Sequence, residues 1–460
     1  MIRVPLQRVT RPLVARLFHR PAKAGRILGT VAGVVALVLG LTAAGDSLRS
    51  GTPTADPTSV EPAAADRGQL NDPAALVASL QTKLRVHPGD AQGWASLGFA
   101  YVEQARITAD PSYYPKAEQA LVRAQRLAPR AALTLTGQAT LAAARHDFGG
   151  ALRLADEAIH ADPYAAQAHA VRSDALTELG RYSEALAAAE RTNNLRPGTS
   201  TFARLSYAAE LRGHLRQASR LMADAARAAG TASSYAFAAF HLGELARAEG
   251  DPNAAAGHYG AALRADPTYA PALAGRARLE VARGDLGSAE RDYVEVVQRL
   301  PLVEYVVELG ELYEATGHPD LAQQQWAVAR ASAALARANG VVTDLETALF
   351  DADHGSPAAA LAAARAEWAR RHSIHVADAL GWALHAAGRD HLALGYARLA
   401  TRLGTQDARL LFHRGAIEAA VGRDGDARTH LRQAMRLDGG VAPLRDRQAR
   451  HLLNGLGRTS

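Results

Sequence analysis

Glycine recurs along this chain at a nearly fixed interval, at Gly180, Gly213, Gly250, Gly284, Gly317, Gly355, Gly388 and Gly422. The mean step is roughly 34 residues, the length of a helical-repeat unit. A repeat of that length limits the fold severely, because one unit is too short to bury a core and must stack on its neighbours. Proline keeps the same step, from Pro129 to Pro163 to Pro197 and again from Pro267 to Pro301. Glycine is favoured where a helix ends in the left-handed region and proline where it cannot continue, so each unit reads as a helix, a tight turn, a second helix and a stop. Two intervals are longer than the rest, those that end at Gly250 and at Gly355.

Composition fits an all-α chain. Ala and Leu are abundant, and no stretch alternates polar with β-branched residues as a strand would. The units number about ten and cover residues 89–440. Before them, Asn71-Asp72-Pro73 caps a lone helix within residues 72–88; after them, residues 441–460 hold a closing helix from Pro443 to Leu456 and a tail.

Within the units a longer pattern is legible: Trp94, Leu97, Gly98, Tyr101, Ala117, Leu121 and Pro129, with about seven extra residues between the two helices. Leu242-Gly243 with Ala255 and Tyr259, Leu309-Gly310 with Tyr313, Ala322 and Trp326, and Leu380-Gly381 repeat parts of it. By these residues the chain resembles the tetratricopeptide repeat family. One unit departs from the pattern, with Gln138-Ala139 where Leu-Gly is expected. The resemblance implies a right-handed superhelical solenoid of antiparallel helix pairs. It also implies that the first helices line a concave groove for peptide segments of partner proteins. The inward positions are then Phe99, Thr140, Asp174, Tyr207, Phe240, Glu244, Arg278, Glu311, Trp382 and Phe412. The Lys, Arg and Asn clamp by which some members hold a C-terminal carboxylate does not appear there. The stretch from Asp344 to Gly355, with the Ala- and Arg-heavy usage, resembles membrane-anchored or exported repeat proteins of high-GC bacteria.

The net charge of +6 suggests a nucleic-acid partner only until it is located. Arg3, Arg8, Arg11, Arg16, Arg20, Lys23 and Arg26 carry +7 before any acidic residue, so the rest of the chain sums to −1 and has no basic stripe for phosphates. Residues 1–26 therefore read as a basic cytoplasmic leader. Residues 27–44 are uncharged over 18 positions, about 27 Å as a helix, against a hydrocarbon core of about 30 Å. Basic residues on the N-terminal side and Asp46 on the other predict a single-pass anchor in the cytoplasmic membrane, N-terminus inside and repeats outside. The competing reading is a signal peptide cut near Thr42-Ala43-Ala44 and a secreted protein; a third is a buried helix of a cytosolic protein. Gly29, Gly33, Ala36 and Gly40 share one helix face, which suits a homodimer contact in the membrane. Residues 45–71, rich in Pro, Ala, Ser and Thr, read as a disordered linker.

Catalysis has no foothold in the motifs: the phosphate-binding loop, the dinucleotide fingerprint, the H-E-x-x-H pair and the nucleophile elbow are all missing from the sequence. The reading is a non-enzymatic protein-binding scaffold with no cofactor. Asp351, Asp353, His354, His372, His375, His385 and His391 offer an alternative, a secreted accessory protein holding a divalent metal in its C-terminal units. The chain has no cysteine, so no disulfide braces it and packing must hold the units together.

Overall fold

The computed structural model describes residues 73–456, and these form 22 helices and no strand. The leader, the 27–44 segment with Gly29, Gly33 and Gly40, and the linker lie outside the described residues. The lone helix α1 (Pro73–Val86) precedes ten pairs. These are α2 (Ala91–Thr108) with α3 (Tyr113–Leu127), α4 (Ala132–Ala144) with α5 (Phe148–Ala161), α6 (Ala166–Glu178) with α7 (Tyr182–Leu195), α8 (Thr199–Glu210) with α9 (Leu215–Arg227), and α10 (Ala232–Ala248) with α11 (Pro252–Ala265). Then follow α12 (Ala270–Arg283) with α13 (Leu286–Arg299), α14 (Val303–Ala315) with α15 (Pro319–Ala338), α16 (Asp344–His354) with α17 (Pro357–Arg370), α18 (Ile374–Ala386) with α19 (Asp390–Ala400), and α20 (Ala408–Ala420) with α21 (Asp424–Asp438). Helix α22 (Pro443–Leu456) closes the stack.

The two members of a pair differ in kind. Helix α9 buries a single stripe, Ala218, Met222 and Ala225, the spacing of one face of a surface helix. Helix α12 is buried nearly all round, from Ala270 to Val281, because it has helices on both sides. First helices thus make an inner layer and second helices an outer one. Small residues set the distance between them: a Cβ on Gly98 would run into Leu121, one on Gly243 into Tyr259 and one on Gly310 into Trp326. Each glycine seats a large side chain of the paired helix.

The turn inside a unit follows the expected chemistry. After α6, Gly180 is left-handed at φ 79°; its N–H donates to the Thr177 carbonyl and that of Arg181 reaches back to Leu176. Gly213, Gly250, Gly284, Gly317, Gly388 and Gly422 are left-handed too. Gly355 is not, at φ −134°; in that stretch the left-handed glycine is Gly340, which follows the long helix α15. In the α4–α5 unit, one repeat before Gly180, the turn position is held by His146, left-handed at φ 63° despite its side chain.

Successive turns of the coil touch. The Ile374 N–H donates to the Tyr182 hydroxyl across 192 residues of sequence, between five and six units further along. The Val342 N–H donates to the Arg145 carbonyl, and the His146 ring meets the Val342 carbonyl at 2.7 Å. Arg371 pairs with Glu178 as well as with Glu367 of its own turn. The irregular units serve this seam. Helix α15 runs 20 residues where α13 runs 14, and the end of that extension brings Gly340 against Arg145. The long α2 likewise delivers Ala109, left-handed at φ 51°, to the apolar cluster built on α12–α15.

Candidate partner-binding face

The inward positions read from the sequence do lie on first helices, yet most of their side chains are committed to the next unit. Phe99 lies against Gly137. The Thr140 hydroxyl donates to the Thr136 carbonyl of its own helix. Asp174 takes both ends of the Arg204 guanidinium at 2.8 Å, with both side chains buried. Phe240 sits among Tyr259 and Tyr269. Trp382 stacks on His413 with ring centroids 4.0 Å apart, lies beside Phe412, and donates its indole N–H to Asp353 at 2.7 Å. Apart from Thr140 these residues bind unit to unit, and sequence spacing could not separate that role from groove lining because both need the same helix face.

Three consecutive units carry a charge ladder. Arg278 of α12 donates to Glu308 of α14 at 2.7 Å and reaches Glu244 of α10 at 3.4 Å; Glu244 also takes Arg247 and the Tyr259 hydroxyl. Burial alone would raise the Glu244 carboxyl, but Arg247 and Arg278 hold it down at about 2. The arginine is buried, whereas the Glu244 and Glu308 side chains keep 21 and 27 % of their surface. Glu311 keeps 22 % and pairs with His354, which stacks on Trp326. The inner face thus shows water the outer edges of carboxylates.

Deeper in the coil, groups from distant helices crowd together. Glu304 of α14 is half-buried and its Oε1 has no hydrogen-bond partner. Burial, then Glu308 and Glu346, pushes its carboxyl up to about 8 although Arg278 and Arg409 oppose this. Burial, with Glu244 and Asp407, puts Glu210 at about 7. At the seam, the Tyr207 hydroxyl lies 3.2 Å from His375 Nε2; burial pulls that imidazole down to about 4. A cavity of only about 10 Å³ remains between Asp174, Tyr182, Arg204 and Tyr207.

The candidate metal ligands do not converge. Asp353 serves Trp382, His354 serves Glu311, His375 meets Tyr207, and His385 pairs with Asp390. His372 lies against Trp368, Asp351 lies in the last turn of α16 beside Gly355, and His391 is exposed on α19. Among the described residues no group of three or more His, Cys, Asp or Glu side chains is placed to hold a metal ion.

No protein-family model matches the chain, and no curated protein does. Solved structures similar to it include PilF of Pseudomonas aeruginosa, 17 % identical over 46 % of this chain and 93 % of that one, with a TM-score of 0.35. A tetratricopeptide repeat protein from Parabacteroides merdae is 17 % identical over 56 % of this chain and 99 % of its own, with a TM-score of 0.31. The APC/C heterotetramer Cut9–Hcn1 is 14 % identical over 85 % of each chain, with a TM-score of 0.36. At such identities the likeness concerns the helical-repeat fold alone.

Proposed function

We propose that this chain is a non-catalytic scaffold that holds segments of other proteins on the inner face of its helical coil. The observation that carries the reading is the ladder Glu244–Arg278–Glu308: buried guanidinium beneath carboxylates whose outer edges stay wet, set on three consecutive units. Such an edge accepts hydrogen bonds from the backbone N–H groups and basic side chains of an extended segment.

In the same proposal residues 27–44 anchor the chain, with the basic leader inside and residues 45–71 as a tether of roughly 30 Å root-mean-square reach. Among the described residues no helix is long and apolar enough to cross a membrane.

The test is a photo-crosslinking amino acid placed at Glu311 on the inner face or at Leu392, which is exposed on α19, in intact cells. Adducts at position 311 and not at 392 are expected; the reverse pattern moves binding to the outer layer. Protease shaving of the same cells reports which side of the membrane carries the repeats.

A further inference from the structure

We propose that the seam between successive turns is a clasp that opens, and that the inner face is reached only when it does. In its functional part this rests on the inner face being the partner surface; the opening itself does not.

Three observations converge on it. First, the seam is where the backbone is strained. The two non-glycine residues with positive φ among the described residues, Ala109 and His146, both sit on it. A side chain in that region costs about 1–2 kcal/mol and persists where surrounding contacts enforce it. Second, the cations of the seam do not lose every partner on release. Arg371 bridges Glu178 across the seam but also holds Glu367 on its own turn, and Arg145 keeps Glu118. Parting the turns therefore leaves neither guanidinium buried and alone, the outcome that makes breaking most buried ion pairs so unfavourable. The ladder arginine Arg278 differs, because both of its carboxylates belong to neighbouring units of the same turn. Third, the closed coil leaves little space behind the seam: the cavity between Asp174, Tyr182, Arg204 and Tyr207 is only about 10 Å³, and the Tyr207 hydroxyl lies 3.2 Å from His375 of the facing turn.

Opposing release, Ile374 and Leu410 sit in the apolar cluster built on α8–α12. The closed form is therefore the ground state and the open one a minor state, reached by parting turns while the pairs of helices stay intact.

A test needs no partner, and the cysteine-free chain suits it. Glu346→Cys places one thiol on the inner side of the seam, and a bulky polyethylene glycol maleimide reports how often that thiol is exposed; Leu392→Cys is the outer-face control. Labelling at position 346 should be slow. It should quicken about tenfold when Glu178→Gln and Tyr182→Phe weaken the clasp, a factor equal to about 1.4 kcal/mol in the opening equilibrium. Ile374→Ala, which trims the apolar plug without touching a charge, should quicken it as well. Helical content and the denaturation midpoint of each variant separate opening from loss of fold. A wild-type chain that labels at 346 as fast as at 392, or folded clasp variants whose rate does not change, would overturn the clasp and leave the partner surface standing.

Discussion

The backbone carbonyl of His372 occupies the space a side chain on Gly180 would need. The Gly404 carbonyl does the same to Gly213, while at Gly250, Gly284, Gly317, Gly388 and Gly422 nothing lies within 4 Å of where a Cβ would stand. Glycines that look equivalent in sequence thus answer to different constraints. Alanine at Gly250 should cost about 1–2 kcal/mol, the penalty of a left-handed Cβ alone. Gly180→Ala should cost at least about 3 kcal/mol, because the turns must also move apart. Equal losses in urea denaturation would mean that the turns do not press on each other.

His146 holds a turn position that glycine takes elsewhere, and its ring contacts the Val342 carbonyl. His146→Ala keeps the strained backbone and loses the ring contact, so about 1 kcal/mol of stability should go. In His146→Gly relief of strain offsets that loss, and the net change should stay within about 0.5 kcal/mol. Two variants of equal stability would show that the left-handed conformation carries no strain there.

Arg278 is buried between two carboxylates of adjacent units. Arg278→Ala leaves Glu244 and Glu308 facing each other and should destabilise the chain by about 3–5 kcal/mol. Adding Glu308→Gln should recover part of that loss, which a double-mutant cycle on denaturation midpoints would read as coupling. Strict additivity would show that the ladder is not one network.

Glu304 binds its proton more tightly folded than unfolded, at about 8 against an ordinary 4.5. Its stabilising effect is therefore complete below pH 4.5 and fades as pH rises through 8. Glu304→Gln should add about 1–3 kcal/mol at about pH 8.5 and almost nothing at about pH 4.5. His375 acts in the opposite sense. Its folded value of about 4 lies below 6.5, so the stability it supports holds above pH 6.5 and is lost as pH falls towards 4. Denaturation series at several pH values would settle both, and a Glu304→Gln effect independent of pH would refute the first.

Much of the fold could be read from the turns, because glycine and proline mark where helices stop and Leu97-Gly98 or Leu309-Gly310 mark where they touch. The candidate site was less legible. Asp174 and Arg204, or Trp382 and His413, lie on consecutive units and use the face that would otherwise meet a partner. The seam left a fainter trace. The extra residues before Gly355 lengthen α15 and place Val342, and the position equivalent to Gly180 in the preceding unit is His146. Which loop such residues meet depends on the pitch of the coil, and pitch accumulates from small rotations that no single unit encodes.

The 192-residue interval between Tyr182 and Ile374 has a consequence for how such a chain can change length. Solenoids ordinarily gain or lose units freely, since each touches only its neighbours. Here the interval works as a vernier: deleting one unit between those residues would bring Tyr182 opposite the loop of a different unit and misalign Glu178 with Arg371 in the same step. The number of units in that span is thereby fixed, while units can still be added beyond α22 without disturbing the register.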